Sequence, residues 1–172
     1  MKEWKPGVYF LHLIDMATRF SIAALINRKT PEVITEKIMT VLIGSGMGSP
    51  KKFLAGNGGE FANETFRDMC HNLNIEVLNT AAYSPWQNGL CERNHAVVDD
   101  CVVKILEDQP NLKLEVALLA VNAKNSLSMV YGWSPYQLVY GANPNIPSTL
   151  DDKPPALENT TISENFAKHL NA

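Results

Sequence analysis

Cysteine is scarce in these 172 residues. Cys70, Cys91 and Cys101 form no Cys-x-x-Cys pair and leave an odd count, which argues against a disulfide framework. Long apolar runs are missing too. Val8–Ile14 is interrupted by His12, Val116–Val121 is only six residues, and a membrane span needs about 20. The opening Met-Lys-Glu-Trp-Lys-Pro-Gly has no apolar stretch of the kind a signal peptide carries. These absences lead us to expect a soluble, intracellular domain with no membrane partner. An excess of basic charge is also lacking: 15 Lys and Arg against 18 Asp and Glu give a net charge of −3. That excludes a strongly basic nucleic-acid module, though not a local basic patch. What is present is ordinary globular composition, 45% hydrophobic and 19% charged, enough for one domain with a real core.

Residues 8–14 are rich in β-branched and aromatic side chains, follow a Pro-Gly turn and read as a buried strand. Residues 20–26 read as its antiparallel neighbour, joined through Asp15-Met-Ala-Thr-Arg19. Thr30-Pro31-Glu32 has the signature of a helix start, and Val33, Ile34, Ile38, Val41 and Leu42 supply an apolar stripe at helical spacing. Gly44-Ser-Gly-Met-Gly48 ends that helix. A short strand is expected at 51–55, a helix from Asn63 to about Leu73, and a strand at 75–78. Tyr83–Gly89 reads as a loop before a long helix over about 88–107. A second long helix is expected at about 112–125 and a short one from Ser134-Pro135 to Tyr140. The order β-β-α-β-α-β-α-α-α indicates an α/β domain with a mixed sheet over residues 1–147. Four prolines after Gly141 and a loss of periodicity mark residues 148–172 as a tail or linker.

Two segments place polar residues where α/β folds expose them, at strand ends and helix starts. One is Gly56-Asn57-Gly-Gly-Glu60-Phe61-Ala-Asn63. The other is Tyr83-Ser-Pro-Trp86-Gln87-Asn88-Gly89-Leu-Cys91-Glu92-Arg93-Asn94. With Asp15-Met-Ala-Thr-Arg-Phe20 and Ser134-Pro-Tyr-x-Leu-Val-Tyr-Gly141, they resemble, in order, four motifs of the catalytic core of retroviral and long-terminal-repeat retrotransposon integrases, most of all the Ty3/Gypsy branch. Thirty-five residues separate position 56 from Glu92, the family's spacing between its second and third acids.

The resemblance implies a ribonuclease-H-like α/β fold, a mixed sheet flanked by helices. It also implies polynucleotidyl transfer on DNA during integration, in the nucleus. In that family three carboxylates hold two Mg²⁺ or Mn²⁺ ions, and such hard ions need oxygen ligands. Glu92 carries over as catalytic and metal-binding acid. Position 56, where the second Asp belongs, is glycine. The first acid belongs to a strand expected ahead of Met1, which would leave the sheet without its central first strand; Asp15 is read chiefly as a turn former and only secondarily as a ligand. Glu60 reads as a helix-entry acid, with an inward-reaching carboxylate as the alternative. Asn57, Lys51, Lys52, Gln87, Asn88, Gly89, Arg93 and Asn94 are the candidate DNA contacts. Glu92, His95 and Asp99 share one helix face, read as a solvated polar stripe rather than a metal site, and His12 reads as structural. The leading expectation is therefore an integrase core with an impaired active site, binding DNA weakly and able to self-associate. The alternative is a domesticated, non-catalytic domain that binds nucleic acid or protein.

Overall fold

The computed structural model describes residues 2–56, 58–79, 85–113 and 118–145. The expected tail at 148–172 lies outside them, as do Asn57 and residues 80–84. Elements run β1 (Lys2–Lys5), β2 (Val8–Ile14), β3 (Ser21–Ile26), α1 (Pro31–Gly44), β4 (Lys52–Ala55), α2 (Glu64–Asn72), β5 (Glu76–Asn79) and α3 (Pro85–Asp108). Then follow α4 (Leu119–Leu127) and α5 (Pro135–Tyr140). The chain divides into two compact units. One comprises Met1–Leu13 with Ile22–Val97, the other Ile14–Ser21 with the stretch from Val98 onward.

In the first unit β2 is the middle strand of the order β1-β2-β3. β1 runs antiparallel to it, with Lys2 opposite Phe10, Glu3 opposite Tyr9 and Lys5 opposite Val8. Gly7 allows the tight reversal: its φ of 76° suits a residue without Cβ, and its N–H donates to Glu3 Oε1 at 2.8 Å. The sequence gives no apolar alternation at 2–5, so this strand went unread. Its presence also corrects the expectation that β2 lacks a partner on one edge. β4 and β5 pair in parallel, Lys52 opposite Glu76 through Ala55 opposite Asn79. Among the described residues the strands thus form a three-stranded and a two-stranded sheet.

Alternation along β2 sends Leu11, flanked by Tyr9 and Leu13, into a core with Ile26 of β3, Ile34, Ile38 and Leu42 of α1, and Phe66, Met69 and Cys70 of α2. Ile34, Ile38 and Phe66 are fully buried. Truncating such a side chain to alanine costs about 2–5 kcal/mol. The other face of β2 carries Phe10 and His12 toward α3, where His95 meets both rings.

In the second unit, Asn125 of α4 grips the start of β3. Its Oδ1 accepts from Ser21 N–H and its Nδ2 donates to the Ser21 carbonyl, both at 2.8 Å. α5 opens with a capping box: Ser134 Oγ accepts from Gln137 N–H at 3.2 Å, and Gln137 Oε1 accepts from Ser134 N–H at 2.8 Å. Gly141 closes it in the left-handed conformation. Phe20 packs edge-on against Tyr140 at 5.7 Å.

Two helix boundaries differ from the sequence reading. α3 begins at Pro85, so residues 85–89 are helical rather than loop; proline's fixed φ suits a helix's first turn. Of the expected helix at 112–125, the described residues show Leu119–Leu127, which runs two residues further. Pro110 follows the end of α3, and Leu112 N–H closes a turn onto the Gln109 carbonyl at 3.0 Å. Residues 114–117 lie outside the described ones.

Candidate functional site

β4 delivers Ala55, buried, to the half-buried Gly56. The following loop is held by its own backbone: Gly58 O accepts from Phe61 N–H at 2.9 Å and Ala62 N–H at 3.0 Å. Asn63 does two jobs. Its Oδ1 caps α2 by accepting from Phe66 N–H at 2.9 Å, and its Nδ2 donates to the carbonyls of Gly59 and Glu60 at 3.1 and 3.0 Å. Phe61 then anchors edge-on to Phe66, 5.6 Å between ring centroids. Glu60 folds back so that its carboxylate covers Gly58, where a Cβ would collide with it. Gly56 differs. A Cβ built there meets nothing within 4 Å, and its backbone is not in the glycine-favouring positive-φ region. The position carries no donor side chain, although it has room for one.

α3 carries the second group. Glu92 and Arg93 are exposed, Gly89 and Asn94 half-buried. Asn94 Nδ2 donates to the Leu90 carbonyl at 2.9 Å, so its amide is committed to its own helix. Burial pushes the Cys91 thiol up from its ordinary value, with the neighbouring Glu92 carboxylate adding to the shift. Gln87 and Asn88 lie in the first turn of α3, but their side chains, like that of Trp86, fall outside the described residues. His95 departs from the expected solvated stripe. It is half-buried, its ring 5.4 Å from those of both Phe10 and His12.

Asp15, in the second unit, builds a turn. Its Oδ2 accepts from Thr18 N–H at 2.8 Å and from Thr18 Oγ1 at 2.5 Å. Its backbone N–H donates to the Phe20 carbonyl at 2.8 Å, and Arg19 adopts a φ of 62° to close the loop. Lys51 and Lys52 are exposed on the edge of β4, and Lys52 Nζ lies 3.0 Å from Glu76 Oε2. Sequence reading missed Lys124. It is buried on α4, where its Nζ donates to Ser21 Oγ at 2.8 Å and to the Arg19 carbonyl. Burial, and then the Arg19 charge, lower it to about 8. No periodicity separates this lysine from an exposed one, because the pocket that receives it comes from residues a hundred positions away.

Among the described residues the donor set does not supply the carboxylates that a pair of Mg²⁺ or Mn²⁺ ions needs. Among the described residues no three His, Cys, Asp or Glu side chains are arranged to hold a metal ion, and Gly56 offers no oxygen from a side chain. No helix among them is long and apolar enough to cross a membrane.

No family model matches the chain. It is 25% identical over 147 residues to the retrovirus-related Pol polyprotein of transposon 412 from Drosophila melanogaster, across 85% of this chain and 12% of that one. It is 32% identical over 117 residues to the Gag-Pro-Pol polyprotein of Human T-cell leukemia virus 2, covering 67% of this chain and 8% of the polyprotein. The Pol polyprotein of Radiation murine leukemia virus is 24% identical over 176 residues, 99% of this chain and 29% of its own length. The chain therefore spans a minor part of each of these relatives. Among solved structures, the HTLV-2 integrase catalytic core in complex with magnesium, a trimeric form, superposes with a TM-score of 0.65. The match has 19% identity and covers 81% of this chain and all of that one. The BIV integrase catalytic core gives 0.63 at 20% identity over 76% and 84% of the two chains.

Proposed function

From a chain homologous to retroviral and retrotransposon Pol polyproteins, with the ribonuclease-H-like fold of integrase catalytic cores, we propose a retroelement integrase-type core whose catalytic step is lost. The observation that carries the reading is Gly56, at the end of β4 where the family's second acid belongs. Metal ions would need that acid to generate a nucleophile and stabilise the leaving oxygen, and a glycine supplies neither charge nor ligand. Glu92 remains as the third acid, exposed on α3. The retained role is weak DNA association in the nucleus, through Lys51, Lys52, Arg93 and the start of α3, with self-association as in oligomeric relatives.

The test is strand transfer and 3′-end processing by the purified chain with Mg²⁺ or Mn²⁺. No product is expected from a chain with glycine at position 56. Activity that disappears in Glu92→Gln would overturn the proposal. A domesticated domain bound to protein is the second reading, favoured by the net charge of −3. It predicts no measurable DNA binding at low salt.

A further inference from the structure

We propose that the outward face of α4 is where two copies of this chain meet, antiparallel across a two-fold axis at Ala123. This rests on the self-association proposed above and names the surface that performs it. α4 turns an unusual side to solvent. Its buried residues include Lys124, Asn125 and Ser126, while Leu119, Ala123 and Leu127 are exposed. Leu119 is 61% and Leu127 50% exposed, and Met129 follows at 53%. The helix cannot roll to hide them without losing its hold on β3. Lys124 Nζ donates to Ser21 Oγ and the Arg19 carbonyl, and Asn125 exchanges two hydrogen bonds with the Ser21 backbone. All of these residues belong to the second unit.

The pattern selects the occupant. Leu119, Ala123 and Leu127 stand four residues apart and form one ridge about 12 Å long. The ridge is symmetric about its small middle residue. A second copy turned end for end therefore offers the same ridge in reverse. Leu119 of each copy meets Leu127 of the other, and the two alanines let the helices approach. The antiparallel arrangement also sets opposite ends of the two helix dipoles together. Charge is absent where it would face itself. Across residues 119–145 the only charged side chain is Lys124, and it is buried. A nucleic-acid backbone finds no exposed cation on this stretch, whereas a two-fold contact meets no like charge. Burying the apolar ridge against its own copy removes it from water.

Analytical ultracentrifugation of the whole 172-residue chain, from about 1 to about 200 μM, tests this. The native chain should associate reversibly in that range. Leu119→Glu and Leu127→Lys each place an unpaired charge in the contact and should weaken association at least about tenfold. Mixing the two variants should restore it to within about threefold of the native chain. The introduced carboxylate and ammonium then face each other on one side of the axis, with the native leucines in contact on the other. Both positions are exposed, so urea unfolding of each variant should match the native chain. Should one variant fail to fold, Ala123→Glu replaces it; this change sets like charges at the axis and should also weaken association about tenfold. A native chain that stays monomeric throughout would overturn the self-association itself and this surface with it. Association that the folded variants leave intact would overturn this surface alone. Two weakened variants that fail to recover on mixing would overturn the antiparallel pairing.

Discussion

Lys124 is the residue whose environment conflicts most with its chemistry. Its ammonium is buried against the Arg19 carbonyl and Ser21 Oγ, and burial followed by the Arg19 charge brings it to about 8 from 10.5. The folded state thus releases a proton that the unfolded chain still holds between these values, so stability must rise with pH across that window. Below about pH 8 both states are protonated and the full penalty applies; above about 10.5 it is gone. The gain is on the order of 3 kcal/mol. Urea unfolding from pH 7.5 to 11 should show it in the native chain and not in Lys124→Met, in which the shared cysteine and tyrosine titrations remain. Parallel curves for the two proteins would show that Lys124 is not the group responsible. The contrast with Gly56 is instructive. There the residue is missing the chemistry, while backbone and space remain compatible with an aspartate.

At the scale of the element, three helix starts look alike in sequence but differ in what their caps do. Asn63 accepts from Phe66 N–H at 2.9 Å, and Ser134, wholly buried, exchanges two hydrogen bonds with Gln137. Thr30 has the right backbone and a following Pro31 yet makes no side-chain capping bond. Substitution by alanine should therefore cost about 1 kcal/mol at Asn63 and up to about 2 at Ser134, but only a few tenths at Thr30. Chemical denaturation of the three variants checks the ranking, and a Thr30→Ala loss as large as that of Ser134→Ala would refute it. These caps were legible because Thr-Pro, Asn-x-x-Phe and Ser-Pro-x-Gln are local signals. So were Ile34, Ile38 and Leu42, through helical spacing. β1 was not, since Lys-Glu-Trp-Lys forms a strand only because Gly7 turns it onto β2. The His12–His95 contact joins positions eighty-three residues apart, and spacing on α3 alone made His95 look like part of an exposed stripe. Of the candidate site, the change at position 56 was readable from motif order, while the commitment of Asn94 to the Leu90 carbonyl exists only in the folded helix.

For the molecule as a whole, charge decides how strongly DNA can be held. A net charge of −3 gives no general attraction to a polyanion. Of the expected phosphate contacts, Lys51 and Arg93 are exposed, and Lys52 already lies 3.0 Å from Glu76. Each neutralised phosphate contributes about −0.9 to the slope of log K against log salt, so two or three contacts give a slope of about −2 to −3. Affinity should fall in the non-specific range of about 10⁻⁴–10⁻⁶ M at physiological salt. Fluorescence anisotropy with a short duplex between about 50 and 200 mM salt measures both quantities. Arg93→Ala should reduce the slope by about 1, whereas Lys52→Ala should change it less, because its ion pair with Glu76 already competes for the phosphate. A steep slope that survives both substitutions would place the DNA on some other surface. Sub-nanomolar, sequence-selective binding at physiological salt would contradict the charge argument outright, since base contacts would then have to supply what this surface lacks in phosphate contacts.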